Sequence, residues 1–144
     1  MLIGKKGYYY LKVILFFAFS RKESFPIKEL ARRLAISGKV LEQVLLSLKN
    51  KGLLASKRGP QGGYRLSRDI SHLTVMDIVE MTDRKLDILP IEPSGKKNVL
   101  EDVLMALEED VKVQLVLKFK DLKIKDLVTS MKEKIAEAEL SYMI

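Results

Sequence analysis

The spacing of apolar positions predicts a mainly helical chain. Residues 9–19 are apolar nearly all round, which indicates a buried helix. In residues 26–34 and again in 39–51, apolar side chains recur every three or four positions and so fall along one side of a helix. The two sets are Ile27, Leu30, Ala31 and Leu34, followed by Leu41, Val44, Leu45 and Leu48.

The short connection between the second and third helices is typical of a helix-turn-helix. Only Ala35 and Ile36 separate them, and the hydroxyl of Ser37 can cap the third helix. Gly52 follows a lysine-rich helix end and provides a stop. Two short helices joined in this way, the second capped at its start, indicate the motif.

The stretch KRGPQGGYRLS, residues 57–67, predicts a tight basic hairpin with strands over 53–58 and 64–67. A narrow, cationic hairpin directly after a helix-turn-helix is a wing. Its arginines can contact phosphates or enter a minor groove. Those arginines are Arg58 and Arg65, and the glycines that can take positive φ at little cost are Gly59, Gly62 and Gly63.

The rest of the chain predicts a capped helix, a loop and a long helix. Thr74 and Asp77 have the form of a capping box. We expect a mainly α fold with a small β-hairpin: a winged helix-turn-helix domain over 1–82, a linker loop over 83–98, and a dimerisation helix with a C-terminal helix over 99–144. The long helix is too apolar to pack on one domain alone, and its expected dimer stripe is Leu100, Val103, Leu107, Val111 and Leu115.

Charge and composition narrow the function. Residues 1–81 hold 15 Lys/Arg against 6 Asp/Glu, whereas residues 82–144 hold 11 against 13. This segregation favours a nucleic-acid partner for the first half and makes a membrane surface a poor second. The apolar run near the start is too short to span a bilayer, and we expect a cytoplasmic protein without a signal peptide. The chain has no cysteine, which excludes disulfides and thiolate metal sites.

The pattern LEQ…L…GL…S.RGP.GGY.L, within residues 41–66, resembles the Rrf-type bacterial transcription regulators. The resemblance extends back to residue 5, recurs weakly at residues 121–128 and covers most of the chain. It implies a homodimer on double-stranded DNA, with a recognition helix in the major groove and a wing in the minor groove of each half-site. The residues expected to contact DNA are Lys39, Glu42, Gln43, Arg58, Gly59, Gly62, Gly63, Tyr64 and Arg65.

The side chains at the start of the third helix suit base readout. Gln43 can read adenine, Glu42 can accept a hydrogen bond from cytosine, and Lys39 can reach guanine or a phosphate. A plain solvated helix face remains the alternative for each. Gly38 is an unfavourable residue early in the third helix, because glycine weakens a helix by roughly 1 kcal/mol.

A second departure concerns cofactors. Sensor members of the family hold an iron–sulfur cluster with three cysteines in the loop before the long helix, but residues 86–101 contain neither cysteine nor histidine. We therefore expect a cluster-free member with no cofactor and no metal, and an effector that the sequence does not identify. The lone His72 is expected to be structural or solvated.

The resulting hypothesis is a homodimeric, sequence-specific transcriptional regulator, acting as a repressor on an inverted-repeat operator. The alternative is a winged-helix module that has lost DNA binding and holds a partner protein. The basic first half and the intact wing argue against that alternative. No nucleophile–base pair or paired carboxylates indicate an enzyme.

Overall fold

A computed structural model describes residues 3–20, 24–82 and 86–143, without the side chains of 141–143. The outer ends of the expected domains, at 1–2 and 144, and the first three linker residues, 83–85, lie outside this range. The fold is mainly α with one antiparallel hairpin, as predicted. Its elements are α1 (Gly4–Phe19), α2 (Ile27–Leu34), α3 (Gly38–Asn50), β1 (Leu54–Lys57), β2 (Gly63–Leu66), α4 (Val75–Glu80), α5 (Val99–Asp121) and α6 (Ile124–Met143).

Helix α1 begins five residues earlier than its apolar run predicts. Its buried side continues back to Gly7, one turn before Tyr10, so the two lysines near its start lie on the exposed side of the same helix. A Cβ at residue 7 would lie 2.3 Å from the side chain of Ile3, so glycine permits this close approach. The side chains flanking the buried face are only half-buried, and Tyr8 is exposed.

The helix-turn-helix forms as predicted. Helix α2 ends at Leu34, its C-cap residue Ala35 takes a left-handed conformation with φ 52°, and the next residue, Ile36, is buried. The Ser37 hydroxyl accepts a hydrogen bond from the backbone N–H of Val40 at 3.4 Å and caps α3. The apolar sides of both helices enter one core, because Leu30, Leu34 and the four apolar residues of α3 named above are buried.

The wing pairs four residues of β1 with four of β2, from Leu54 opposite Leu66 to Lys57 opposite Gly63. A third segment extends this sheet by one residue. The N–H of Phe25 donates to the carbonyl of Tyr64 at 3.0 Å, and the N–H of Tyr64 donates back at 2.9 Å. The segment that leads into α2 therefore lies along the outer edge of β2.

The C-terminal helices pack against the rest of the chain near the junction of α5 and α6. The predicted capping box of α4 is present, with Thr74 and Asp77 each bonding the other's backbone N–H. Helix α5 has no buried residue along its 23 positions. Its last turn and the following Leu122 nevertheless pack beside α4, and Ile124, at the start of α6, is fully buried in the main core. Within the described residues no helix is long and apolar enough to cross a membrane.

Candidate nucleic-acid interface

The first two turns of α3 expose polar side chains opposite a buried apolar side. Lys39, Glu42 and Gln43 are all exposed. They are three and four residues apart, so they share one side of the helix. The buried side, which includes Leu41 and Leu45, fixes the rotation of α3 and therefore the direction in which the polar side faces. This is the arrangement that a helix needs to enter a major groove without unpacking.

A groove between α3 and α1 continues this surface. Gln43 and Val44 line it from α3, and Lys6 and Tyr9 line it from α1. Below it, the Tyr10 hydroxyl hydrogen-bonds the Ser47 hydroxyl and links the two helices. The first turns of α1 therefore lie next to the expected reading face and bring Lys6 to that side of the molecule.

The wing glycines are required for reasons that differ from one another. Gly59 and Gly63 take positive φ, at 109° and 145°, as the turn prediction requires. Gly62 does not use this conformational freedom. A Cβ there would lie 2.3 Å from the carbonyl oxygen of Lys57, and close approach across the turn is what requires glycine.

Gly63 meets a second constraint. A Cβ at this position would lie 2.0 Å from the carbonyl oxygen of Phe25. That oxygen cannot move aside easily, because it belongs to the backbone of a segment paired with β2. The third segment of the sheet can therefore approach β2 only where residue 63 lacks a side chain.

The wing is tied to the end of α3. The ammonium group of Lys49 donates to the Ser56 hydroxyl at 2.8 Å, and the Ser67 hydroxyl donates to the carbonyl of Gly52. The backbone N–H of Leu53 also donates to the carbonyl of Leu48 at 3.0 Å. These contacts fix the offset between α3 and the hairpin.

Arg58 and Arg65 are exposed on the wing, as is Lys57, which the sequence reasoning did not single out. Arg65 lies opposite Ala55 in the register, so its side chain shares a face of the hairpin with that of Lys57. Tyr64 is on the other face and packs partly against the core. Just after the wing, the Asp69 carboxylate accepts the N–H of Ser71 at 2.9 Å, and this bond lowers its pKa.

The expected dimer stripe is largely exposed in the single chain. Leu100 is 75% exposed, Val103 62% and Leu107 51%, whereas Leu115 is half-buried. The side of α5 that faces its own chain is held by polar contacts. The Glu108 carboxylate accepts the N–H groups of Ile88 and Leu89, the closer at 2.9 Å.

Sequence reasoning missed Lys6, Tyr9 and Lys57 as members of this surface. Lys57 lies in the hairpin sequence. Side chains alternate between the faces of paired strands, and this alternation could have placed Lys57 and Arg65 on one face. No comparable signal marked the α1 residues, because their proximity to α3 arises only from packing.

The chain matches the family described as "Rrf2: Iron-dependent Transcriptional regulator" over residues 3–130. Among curated relatives, the HTH-type transcriptional regulator IscR of Vibrio vulnificus is 33% identical over 96 residues, which are 66% of this chain and 57% of the relative. The IscR of Vibrio atlanticus is 36% identical over 88 residues, 60% of this chain and 51% of the relative. The chain therefore matches little more than half the length of these relatives.

The residues present do not fit the iron that the family's description mentions. Iron–sulfur clusters are normally held by cysteine thiolates, and this sequence contains no cysteine. In the part of the chain that the structure describes, no group of three or more His, Cys, Asp or Glu side chains is placed to hold a metal ion.

Solved structures agree with the sequence comparison. The chain superposes on IscR of T. potens with a TM-score of 0.72 at 26% identity, covering 93% of this chain and 90% of that one. For CymR of B. subtilis the TM-score is 0.66 at 24% identity, with 90% and 98% covered, which indicates a shared fold. A family match over residues 3–130, with this agreement in fold, establishes that the chain belongs to the Rrf2 family of transcriptional regulators.

Proposed function

We propose that the protein binds specific DNA through α3 and the wing and regulates transcription. The observation that carries this proposal is the fixed pairing of an exposed polar helix face with a basic hairpin. Lys39, Glu42 and Gln43 are exposed on α3, and the hydrogen bond between Lys49 and Ser56 ties the end of that helix to the wing. Family membership supports the same function.

The two elements have different roles in this proposal. Side chains on α3 read base edges in the major groove, where each base pair presents a distinct pattern of donors and acceptors. Arg58 and Arg65 on the wing contact phosphates or a narrow minor groove and set the position of the protein on the duplex. Gly59, Gly62 and Gly63 keep the hairpin thin enough to approach DNA.

We further infer that the active form is a homodimer paired through α5. Its apolar stripe is exposed in one chain, and a row of exposed apolar residues of this length marks an interaction surface. Charge supports a second copy as the occupant. Residues 99–110 carry five carboxylates and no lysine or arginine, whereas residues 111–121 carry three lysines and one aspartate. Antiparallel pairing about a two-fold axis sets the acidic half of each helix against the basic half of the other.

A two-fold dimer presents two recognition helices, so the proposed operator is an inverted repeat. The half-sites must be about one helical turn of DNA apart, or a multiple, for both helices to enter the major groove. The regulator is proposed to work without an iron–sulfur cluster, because the chain supplies no thiolate ligand.

Fluorescence anisotropy with the DNA upstream of the protein's own coding region tests the proposal. We expect tight binding to a fragment that contains an inverted repeat, weaker binding to a scrambled fragment, and a steep loss of affinity with salt, because neutralised phosphates release counterions. Equal, weak binding to both fragments would favour the alternative of a protein-interaction module. Repression stays a prediction, which transcription from a reporter carrying the bound fragment would test.

A further inference from the structure

Helix α3 carries one exposed leucine, Leu46, which has no part in the base readout proposed above. Its side chain is 53% exposed. Among the described residues 24–82 it is the one large apolar side chain that the structure leaves exposed, whereas the other leucines of α3 are buried in the core. Packing within its own chain therefore does not explain a leucine at this position.

Leu46 lies on the same side of α3 as the three polar side chains of the expected reading face. It follows Lys39 by seven residues, Glu42 by four and Gln43 by three, which is the spacing of one helix side. At 3.6 residues per turn, Leu46 and the buried Leu48 are about 160° apart around the helix. The leucine therefore projects away from the core and lies between Glu42 and Gln43 around the helix.

The two elements beside α3 leave this side open. Gln43 and Ser47, to one side of Leu46, line the groove toward α1. Lys49, to the other side, donates a hydrogen bond to the Ser56 hydroxyl of the wing at 2.8 Å. Leu46 therefore faces the opening between α1 and the wing, which is the part of α3 that a duplex can approach.

The surroundings of Leu46 favour a base methyl group over a protein as its partner. The other exposed side chains of α3 are all polar, and they are Lys39, Glu42, Gln43, Lys49 and Asn50. A protein-binding surface is marked by a contiguous apolar patch, whereas this side of the helix offers one apolar side chain. In the major groove, the C5-methyl group of thymine is the feature that proteins recognise by apolar contact.

We propose that Leu46 reads thymine through its C5-methyl group and so determines part of the sequence specificity. This inference rests on the proposed function, because it adds a contact between the same side of α3 and DNA. Leu46 lies roughly 4.5 Å along the helix axis from Gln43, and successive base pairs are about 3.4 Å apart. With α3 lying along the groove, the thymine is one or two base pairs from the pair that Gln43 contacts.

Replacement of thymine by uracil tests the contact, because it removes the methyl group and keeps the base pair. The probe is the fragment that the full-length parent selects from a random DNA pool, with uracil at one thymine position at a time, and fluorescence anisotropy measures binding. At one position in a half-site we expect uracil to weaken the parent about fourfold, as burial of one methyl group implies. Leu46→Ala should bind the thymine and uracil fragments equally.

Leu140→Ala is the matched control, since it truncates another exposed leucine, 57% exposed on α6. It should keep the parent's fourfold loss with uracil. Leu46→Ala should fold like the parent, because the position is exposed and alanine favours a helix, and circular dichroism checks this.

Failure of the contact and failure of DNA binding give different results. If the parent selects a DNA motif but every uracil fragment affects it and Leu46→Ala alike, Leu46 does not read a methyl group and the proposed function stands. If Leu46→Ala weakens binding but keeps the parent's sensitivity to uracil, the leucine contacts the sugar–phosphate backbone, which also overturns the inference. A parent that selects no motif overturns both.

Discussion

Glycines that look alike in the sequence have opposite physical roles at the scale of single residues. Gly63 has φ 145°, and a Cβ there would lie 2.0 Å from the carbonyl oxygen of Phe25. Gly38 opens α3, and a Cβ there would meet no atom within 4 Å. The first glycine is required by the approach of another segment, whereas the second only weakens the start of a helix.

Alanine substitutions at these two glycines should therefore change stability in opposite directions. Gly63→Ala should lower the free energy of unfolding by roughly 2 kcal/mol or more, because the backbone of the Phe25 segment must move. Gly38→Ala should raise it by up to about 1 kcal/mol, since alanine loses less backbone entropy in a helix. Urea unfolding followed by circular dichroism measures both. Equal stability of Gly63→Ala and the parent would mean that the wing does not pack against this segment in solution.

The proposed base readout also depends on single residues. Glu42→Ala and Gln43→Ala should relax the preference at particular base pairs, because a good bidentate contact gives on the order of 1–3 kcal/mol of discrimination. Selection of sites from a random DNA pool measures this preference. Glu80→Ala, an exposed glutamate on α4, is the control and should select the parental motif. If the two α3 variants also select that motif with parental stringency, these side chains form a plain solvated face.

At the scale of elements, the position of the wing is set by hydrogen bonds to residues outside the hairpin. Lys49 and Gly52 hold it to the end of α3, and Phe25 holds its outer edge. A hairpin of four-residue strands would have little stability alone. Anchored on both sides, it can keep a constant distance from α3.

Arg58→Ala should test the wing as a DNA-binding element. We expect weaker binding to all sequences and a salt slope lower by about one, if the guanidinium neutralises one phosphate. A larger loss at A·T-rich sites would indicate insertion into a narrow minor groove. Lys97→Ala, in the loop before α5, should leave the slope unchanged. Arg58→Ala binding with parental affinity and salt dependence would contradict a DNA-contacting wing.

At the scale of the whole molecule, α5 determines the expected assembly. A 23-residue helix extends roughly 35 Å, and it contributes no buried residue to its own chain. Leu107→Glu should place a charge in the proposed interface and give a folded monomer that binds DNA weakly. Sedimentation with circular dichroism would separate this outcome from unfolding.

Ile135→Glu provides the control for that substitution. It adds the same charge at an exposed apolar position on α6, 42% exposed, and should leave the dimer intact. A parent chain that is monomeric at micromolar concentration would refute the proposed dimer.

Metal dependence is also a property of the whole molecule. The protein purified without oxygen should be colourless, and its DNA affinity should not change with a chelator, oxygen or nitric oxide, because no thiolate is available to hold a cluster. Visible absorption spectra and anisotropy measurements check this. A stoichiometric iron–sulfur cluster held by carboxylates or by His72 would contradict it.

Local pattern alone determined the order of the elements and much of the interface. The three- and four-residue spacing of apolar side chains predicted α2, α3 and α5, and in α2 and α3 burial of one helix side accounts for that period. Ser37 and the Thr74–Asp77 pair marked helix starts through bonds made within three residues. The hairpin and its exposed arginines followed from turn chemistry. Whether those side chains contact DNA stays a prediction.

Only the tertiary structure decided which distant residues meet. It extended α1 to Gly4, placed Lys6 beside Gln43, and required glycine at 62 for approach rather than for positive φ. It also paired the segment at Phe25 with Tyr64 of the wing. Contacts between segments far apart in the chain leave no period in local spacing. They arise when several amphipathic elements bury their apolar sides together, so their outcome depends on the packing of the whole core.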